Sequence, residues 1–387
     1  MEKFYLGVAR EIITPEIGGQ LYGYRPDVFS DSVEDDLTAT AFYFKQGNTQ
    51  GLMISLTVCL IRTQLAQEIL ELIENEFSIP KENCMLNATH THSGPNTAGE
   101  TGWGDIDRAY CDKIFIPQII AAVRQAVDNA QPVRMGVAHG TSLVGINRRE
   151  LNERNEVILG QNPWGCFNPE MTVISFADES GKPVANLIHY GAHGTAAGLN
   201  HEITRDWSGL MIDAVEEKSG AITAFFNGPE GDTGPRLSNG CTTGDISYVR
   251  ELGAVAARDA VKIYADITDY SDIDLAVSAG ELAVPLKKRM DYETAQSMLE
   301  RYKHETVNAN ALIRRHLSDV IRSYDDGAQD AAFTYMPQTV IGLGDVVFAA
   351  FPYELFSEVG MRVDRAFDTK KVLSLSNTNG SESYMVT

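Results

Sequence analysis

The sequence lacks the features that define several large classes of protein. No stretch approaches 18 uninterrupted apolar residues, and the N-terminus has no basic segment followed by an apolar one. This pattern predicts a cytoplasmic protein with no signal peptide and no membrane anchor. Internal repeats, low-complexity segments, a Walker loop and a G-x-G-x-x-G motif are also missing. The sequence therefore offers no loop of the kind that cradles phosphates.

Positive charge is scarce as well. The 387 residues include 32 Lys and Arg against 53 Asp and Glu, so the formal net charge is −21 and the pI is near 4.7. Because phosphates repel such a chain and its basic residues form no cluster, nucleic acid is excluded as a partner and an anionic membrane surface is disfavoured. The hydrophobic fraction of 43% excludes disorder. The expected partner is a small-molecule substrate, and a homo-oligomer stays open.

Cysteine occurs at only five positions, an odd number with no C-x-x-C pair. Several of these residues lie inside apolar runs. This favours buried free thiols over disulfides or a thiolate metal site. The five are Cys59, Cys84, Cys111, Cys166 and Cys241.

Apolar runs alternate with helix-period segments along most of the chain, which predicts an α/β fold of mixed sheets layered with helices. The clearest unit is a βαβ crossover with a strand at 51–60, a helix at 63–77 and a strand at 83–89. The other predicted elements are a helix at 107–129 that Pro117 kinks or starts, strands at 172–177, 184–190 and 221–226, helices at 206–218 and 247–265, a strand at 339–351, a helix at 354–367 and a strand at 371–376.

A charged amphipathic helix at 292–324 interrupts this rhythm. The expected organisation is a single domain, 1–387, with a helical insertion at about 285–330. The insertion is interpreted as a lid or as a dimer contact, and nothing in its sequence decides between the two.

Polar residues are concentrated where the predicted strands end. The segment 89–95 follows one strand, His193 follows a second, and the segment 227–235 follows a third. Glu354 and Tyr384 follow the last two. Since ligands bind beyond the carboxyl ends of strands in open α/β sheets, the sequence predicts a functional site at these ends.

The pair His90 and His92 gives this site its chemistry. An H-x-H pair in extended backbone places both imidazoles on one side of the chain, although histidines hydrogen-bonded in place are the plain alternative. With His193 and Glu354 the pair offers neutral nitrogens and a carboxylate, a set that suits zinc with an open position for water. Such a metal lowers the pKa of its bound water towards about 7 and polarises a carbonyl, which favours a metal-dependent hydrolase.

These residues also carry a family resemblance. The segment Thr89-His-Thr-His-Ser-Gly-Pro95 resembles the T-H-T-H-S-G-P motif of the neutral/alkaline non-lysosomal ceramidases, and the resemblance spans essentially the whole chain as their catalytic domain. The other matching elements are Gly7–Pro15, Asn147–Arg149, His193–Thr195, Gly231-Asp232, Pro352–Glu354 and Tyr384–Thr387. The resemblance implies one zinc ion per chain, held by His90, His193, Glu354 and Tyr384. It also places His92 in acid/base or substrate contact and Arg148 on a polar part of the substrate.

Three departures from the family pattern shape the expectation. In the segment that corresponds to the family's G-D-x-S-P element, Gly234 takes the position of the serine, and Thr233 lies one residue too early to replace it. The segment Pro352–Glu354 reads Pro-Tyr-Glu where the family has Pro-Gly-Glu. The chain ends three residues after Tyr384, so a tyrosine-rich segment and the C-terminal β-domain are not expected. Together with the acidity, these departures predict a short bacterial-type relative rather than a true ceramidase.

The functional hypothesis is therefore a zinc-dependent hydrolase that cleaves an amide, or less readily an ester, in a small soluble substrate. A metal-activated water attacks the carbonyl while His92 acts as general base and then as general acid. Asp232 orients His92 or the water, and Arg148 anchors a substrate carboxylate through a bidentate pair. Thr233 and Asn227 contact the substrate.

Plainer roles remain open for some of these residues, because Asp232 also suits a turn and Arg148 an exposed ion pair. Two further functions stay open: a metal-binding protein of the same fold without hydrolytic activity, and a true ceramide amidohydrolase. Phosphate-ester chemistry is opposed by the lack of a second carboxylate cluster.

Overall fold

The computed structural model describes residues 2–304 and 308–387 and confirms an α/β architecture of mixed sheets and helices. The helices are α1 (Thr63–Phe77), α2 (Arg108–Tyr110), α3 (Ile116–Asp128), α4 (Trp207–Ser219), α5 (Ile246–Ala265), α6 (Tyr292–Tyr302), α7 (Asn308–Asp325) and α8 (Ser357–Arg365). The strands are β1 (Phe4–Ile12), β2 (Leu21–Tyr22), β3 (Ser32–Val33), β4 (Thr38–Gln46), β5 (Thr49–Leu56), β6 (Cys84–Ala88), β7 (Gly94–Pro95), β8 (Gln131–Pro132), β9 (Arg134–Thr141), β10 (Gly145–Leu151), β11 (Val157–Asn162), β12 (Glu170–Ala177), β13 (Pro183–Tyr190), β14 (Glu202–Ile203), β15 (Ile222–Asn227), β16 (Thr233–Pro235), β17 (Leu275–Pro285), β18 (Phe333–Leu343), β19 (Val346–Ala350), β20 (Glu354–Leu355), β21 (Lys371–Leu375) and β22 (Tyr384–Met385).

Three larger sheets form the centre of the fold. Their strand orders are β6-β5-β4-β1-β8, β15-β13-β12-β9 and β17-β18-β19-β21. One face of the first sheet packs against α1 and α3, and its other face packs against the second and third sheets. Helices α4 and α5 cover the outer face of the second sheet. The layers therefore run helix, sheet, sheet, helix, and the apolar faces of the sheets meet in the middle.

Each of the three sheets contains one parallel pair of strands. The pairs are β5 with β6, β13 with β15, and β19 with β21. The first of these pairs is joined by α1, so the predicted βαβ crossover is confirmed. Because parallel strands end on the same side of their sheet, the loops after them meet at one edge.

Helix α1 has the bounds that the sequence predicts. Leu65, Ile69 and Ile73 recur at helical spacing and are buried against the first sheet. The helix ends at Ser78, whose φ of 54° is left-handed, and Pro80 follows shortly after. A left-handed residue is a common helix stop, and proline cannot continue the helix.

The predicted helix at 107–129 is continuous but irregular. A π-helical turn at Cys111–Phe115 separates α2 from α3, and Pro117 lies in the first turn of α3. Since proline has no N–H to donate to the preceding turn, the wider π turn accommodates the missing hydrogen bond. The position of Pro117 therefore fits the prediction of a kink or a start at this residue.

Several predicted boundaries are wrong. The strand expected at 339–351 is a hairpin of β18 and β19, because Gly344 takes a φ of +61° and turns the chain. The helix expected at 354–367 begins only at Ser357, since 354–355 pair with β22. The single helix expected at 292–324 comprises α6 and α7, and its residues 305–307 lie outside the described residues.

The cysteine prediction is confirmed in part. All five residues are free, and Cys59, Cys84 and Cys111 are buried as expected. Cys166 and Cys241 are exposed, so the prediction of buried thiols is wrong for these two. Within the part of the chain that the structure describes, no helix is long and apolar enough to cross a membrane.

Candidate metal centre

One buried asparagine joins the carboxyl ends of the three sheets. The side chain of Asn87, near the end of β6, donates to the carbonyl of Ser376 at 2.7 Å and to the hydroxyl of Thr378 at 3.0 Å. Its side-chain oxygen accepts from the backbone N–H of Asn227 at 2.9 Å. Since buried polar groups are costly to leave unpaired, these bonds fix the positions of the three strand ends relative to each other.

Three side chains, one from each of the segments that follow β6, β13 and β19, converge beyond the ends of these strands. The Nε2 atom of His90 lies 3.6 Å from Oε2 of Glu354, and the Nε2 atom of His193 lies 3.3 Å from the same oxygen. The ligand atoms of all three side chains lie within 4.8 Å of one another, and all three residues are buried. The structure therefore brings together three of the four metal ligands that the family resemblance implies.

The hydrogen bonds of the histidines leave lone pairs directed at each other. Nδ1 of His90 lies 2.8 Å from the carbonyl of Cys59, and Nδ1 of His193 lies 2.9 Å from the carbonyl of Glu230. A carbonyl can only accept, so each Nδ1 carries the proton and each Nε2 of the neutral ring is bare. Oε2 of Glu354 is buried and has no hydrogen-bond partner among the described residues. Two bare nitrogens and an orphaned carboxylate oxygen fit a cation such as a divalent metal.

The electrostatics of the cluster fit the same chemistry. Burial lowers the pKa of His90, and burial with the nearby charge of Arg148 lowers the pKa of His193 to about 3, so both rings are neutral at pH 7. Burial opposes the ionisation of Glu354, whereas the positive charge of Arg148 favours it, and the pKa of Glu354 stays below its ordinary value. Neutral imidazoles and an ionised carboxylate are the protonation states that bind metals.

The second histidine of the H-x-H pair lies beside the first. Nε2 of His92 is 3.2 Å from Nε2 of His90, and Nδ1 of His92 donates to the carbonyl of Gly23 at 3.1 Å. The bare Nε2 of His92 therefore also faces the cluster. Gly23 has a φ of +133°, and a Cβ atom there would lie 2.4 Å from Nδ1 of His92. Only glycine fits this turn, so the turn is shaped around His92.

Arg148 and Tyr384 border the cluster on another side. The guanidinium of Arg148 lies 3.9 Å from Oε2 of Glu354, donates to the carbonyl of Gly231 at 2.9 Å and donates to the hydroxyl of Tyr384 at 3.0 Å. Strand β22 places Tyr384 beside Glu354 in parallel register. Burial and the charge of Glu354 raise the pKa of Tyr384, so its phenol keeps its proton. The role of Tyr384 as a fourth metal ligand stays a prediction.

The other residues singled out in the sequence support the loops from within. Asp232 accepts from the backbone N–H of Ser357 at 2.7 Å and from the side chain of Asn147 at 3.3 Å. Thr233 is fully buried and shares a 2.8 Å hydrogen bond with the hydroxyl of Ser357. Asn227 is also fully buried. The contacts of Asp232 favour a supporting role rather than the orientation of His92, and the burial of Thr233 and Asn227 favours the same over substrate contact.

Gly234 occupies a space that admits no side chain. A Cβ atom built on Gly234 would lie 2.8 Å from Cβ and 2.9 Å from Cγ2 of Thr242, closer than such atoms approach each other. The residue pairs with Ile146 in the narrow sheet of β10, β11 and β16. The loop is therefore packed around glycine at this position, where the family that the sequence resembles carries serine.

Two supporting residues escape the sequence analysis. Glu230 is fully buried, and its carbonyl holds His193 while its carboxyl accepts from the side chain of Asn377 at 2.7 Å. Asn377 has a φ of 46° and lies 3.3 Å from Nδ1 of His90. Both residues follow strands at the same edge as the histidines. Their position at strand ends is the signal that could have identified them.

Comparison with known proteins identifies related sequences. The family model described as neutral/alkaline non-lysosomal ceramidase, N-terminal, matches residues 4–252. A neutral ceramidase of Pseudomonas aeruginosa is 27% identical over 188 residues, which is 45% of this chain and 28% of that protein. Neutral ceramidase A of Dictyostelium discoideum is 26% identical over 248 residues, which is 58% of this chain and 35% of that protein. The matched region therefore spans about a third of each relative's length.

The fold also has a solved counterpart. The crystal structure of a neutral ceramidase from Pseudomonas aeruginosa superposes with a TM-score of 0.76 over 100% of this chain and 69% of that one, at 18% sequence identity. A ceramidase complexed with C2 superposes with a TM-score of 0.77 at 17% identity. At these identities the likeness establishes the fold.

Proposed function

Since this chain belongs to the neutral/alkaline non-lysosomal ceramidase family, we propose that it is a metal-dependent hydrolase that cleaves the amide bond of an N-acyl substrate. The observation that carries this proposal is the convergence of the bare Nε2 atoms of His90 and His193 on the unpartnered Oε2 of Glu354. Zinc is the metal that this ligand set suits best. When bound, a zinc ion supplies a Lewis acid for the amide carbonyl and makes water more acidic.

His92 and Arg148 have separate roles in the proposed reaction. Nδ1 of His92 donates to the carbonyl of Gly23, so Nε2 of the ring carries no proton and can accept one from water. The same ring then returns the proton to the departing amine, which keeps the proton balance of hydrolysis. Arg148 keeps a fixed guanidinium beside the cluster and is placed to hold a polar group of the substrate.

The hairpin of β10 and β11 supports an amphiphilic substrate, because it carries Arg148 and also exposes apolar side chains. Leu151 is 60% exposed and Leu159 is 63% exposed. Trp164, just after the hairpin, is 93% exposed. Exposed apolar groups on a hairpin that also contributes a residue to the polar site suit a substrate with an acyl chain. This favours a ceramide-like amide over the small soluble substrate that the acidity of the chain predicts.

Metal loading and a substrate series test the proposal. The protein is stripped with a chelator, reloaded with zinc, and assayed against a short-chain ceramide, a long-chain N-acyl amide, an N-acetyl amino acid and a matched ester. We expect amide cleavage that returns with one zinc ion per chain and is fastest on the ceramide-like substrates.

The matched control is a pair of histidine variants. His90→Ala removes a proposed ligand, whereas His201→Ala removes an exposed histidine whose side chain hydrogen-bonds only to a neighbouring loop among the described residues. We expect the first variant to lose zinc and activity and the second to keep both. Zinc-loaded wild type that cleaves none of these amides would refute the proposed activity while leaving the metal site standing.

A further inference from the structure

Two tyrosines in the turn beside His92 differ in whether their hydroxyl groups have a hydrogen-bond partner. The hydroxyl of Tyr22 donates to Oε2 of Glu100 at 3.1 Å, so this buried phenol is satisfied. The hydroxyl of Tyr24 is buried and has no hydrogen-bond partner among the described residues. An unpaired buried hydroxyl is energetically unfavourable, so its presence needs a reason.

The surroundings of Tyr24 belong to the candidate centre. Its ring packs edge-on against the ring of His92, with 5.2 Å between the centroids and 61° between the planes. The preceding residue, Gly23, accepts the Nδ1 proton of His92 through its carbonyl. The turn that orients His92 therefore also carries the unpaired hydroxyl, and its glycine cannot be replaced without displacing His92.

The chemical state of Tyr24 makes it a donor. Burial and the nearby charge of Asp206 raise the pKa of Tyr24, so the phenol keeps its proton at neutral pH. An amide carbonyl oxygen accepts hydrogen bonds and gains negative charge when its carbon is attacked, so a fixed neutral donor acts on it more strongly in the transition state.

We propose that the Tyr24 hydroxyl donates a hydrogen bond to the carbonyl oxygen of the substrate amide and thereby stabilises the charge that develops there. No proton is transferred: the O–H bond of Tyr24 stays intact, and His92 alone exchanges protons with water and the leaving amine. This assignment rests on the proposed amide hydrolysis, and it makes Tyr24 a substrate-contacting residue that neither the sequence motifs nor the resemblance indicates.

The test compares Tyr24→Phe with Tyr22→Phe in the zinc-loaded protein. For Tyr24→Phe we expect kcat to fall about 10- to 100-fold with little change in KM, because the hydrogen bond strengthens in the transition state. We expect its zinc content to be unchanged and its Tm to be equal or higher, because an unsatisfied hydroxyl is removed. For Tyr22→Phe we expect a lower Tm with kcat preserved, because a satisfied hydrogen bond is lost.

Two results would overturn the assignment. If Tyr24→Phe kept full kcat and lost thermal stability, the hydroxyl would be a structural group. If the change were confined to KM, the contact would not be to the oxygen that gains charge.

Binding of methylphosphonate, whose anionic oxygens mimic the oxygen that gains charge in the transition state, to the zinc-loaded protein separates this inference from the proposed function. Weaker binding by Tyr24→Phe than by wild type supports the contact even if no amide is cleaved, and equal binding refutes it.

Discussion

The candidate centre and the helix pair α6–α7 are held in opposite ways. The centre takes its side chains from several strand ends, and buried hydrogen bonds such as those of Asn87 connect one sheet to another. The helix pair, inserted between β17 and β18, forms a small apolar cluster of its own around Ala295, Leu317 and Val320. The first region depends on the whole fold, whereas the second packs mainly on itself. Substitutions at the centre should therefore affect the whole fold, whereas substitutions in the helix pair should have local effects.

The largest effect is expected at the ligands themselves. Glu354→Gln keeps the shape of the side chain but removes the charge that faces the two histidines. We expect zinc affinity to fall by more than about 100-fold and amide cleavage by more than about 1,000-fold, because the ligand charge is lost. Equilibrium dialysis with zinc and steady-state kinetics measure both effects. Glu358→Gln, a change at a half-buried position of the same segment that pairs with Arg362, is the control. Zinc binding preserved in Glu354→Gln would contradict the ligand assignment.

The next effect should arise from the residue that connects the sheets. Asn87→Ala leaves the N–H of Asn227 without its side-chain partner and removes the bonds from Asn87 to Ser376 and Thr378, so the free energy of unfolding should fall by about 3 kcal/mol. Urea unfolding measures this change, and zinc affinity should fall with it. Asn239→Ala removes an exposed asparagine and should change stability little. Equal effects of the two variants would refute the claim that the strand ends are locked together.

These two regions also show which parts of the fold and of the site can be predicted from the sequence. The convergence of His90, His193 and Glu354 follows from one rule, because ligands gather at the carboxyl ends of parallel strands and these residues lie just past such ends. Strands β1 and β4, at the centre of the first sheet, are absent from the predicted elements. Strand β4 is buried over most of its length and shows no alternation to identify it.

Which side chains of a loop face the site could not be predicted. Asp232 and Thr233 lie in the loop expected at the site, yet both are bound by Ser357, more than 120 residues away in sequence. Tyr24 comes from an irregular turn with no periodic pattern. The division of the segment 292–324 into two helices could not be predicted either, because the periodicity of a charged amphipathic segment is the same for one helix as for two.

A pH dependence of stability is expected from Asp206, a buried carboxyl group at the start of α4. Burial raises the pKa of Asp206 to about 6, although its carboxylate accepts backbone N–H groups of Ala196, Ala197 and Trp207. The folded state therefore holds a proton that the unfolded state releases near pH 4, and this stabilisation is lost as the pH rises through 6.

Between pH 4 and 7 the stability of wild type should decline by about 3 kcal/mol relative to Asp206→Asn, because about two pKa units are involved. Urea unfolding of both proteins across this range measures the difference. Parallel profiles for the two would contradict the raised pKa of Asp206.

A smaller effect should come from adding a side chain at Gly234. Gly234→Ser places Cβ against Thr242, so we expect a loss of about 2 kcal/mol in the free energy of unfolding. Thr242→Gly in the same chain removes both clashing atoms and should restore part of the loss. Thermal and urea unfolding of the two single variants and the double variant measure the coupling. Additive losses would mean that Thr242 does not fill the space of the missing side chain.

The smallest effect on the centre is expected from removal of the helix pair. Residues 286–332 can be replaced by Asn-Gly, because Pro285 and Phe333 already face each other in antiparallel register and this turn suits a hairpin. We expect one zinc ion per chain to be retained and the free energy of unfolding to change by about 1 kcal/mol, since the pair buries its apolar side chains within itself. Arg315→Ala, which breaks a hydrogen bond from α7 to Thr101, is the matched minimal change. Loss of zinc on deletion would show that the helix pair supports the centre, and a rise in KM with zinc retained would identify it as a lid over the substrate.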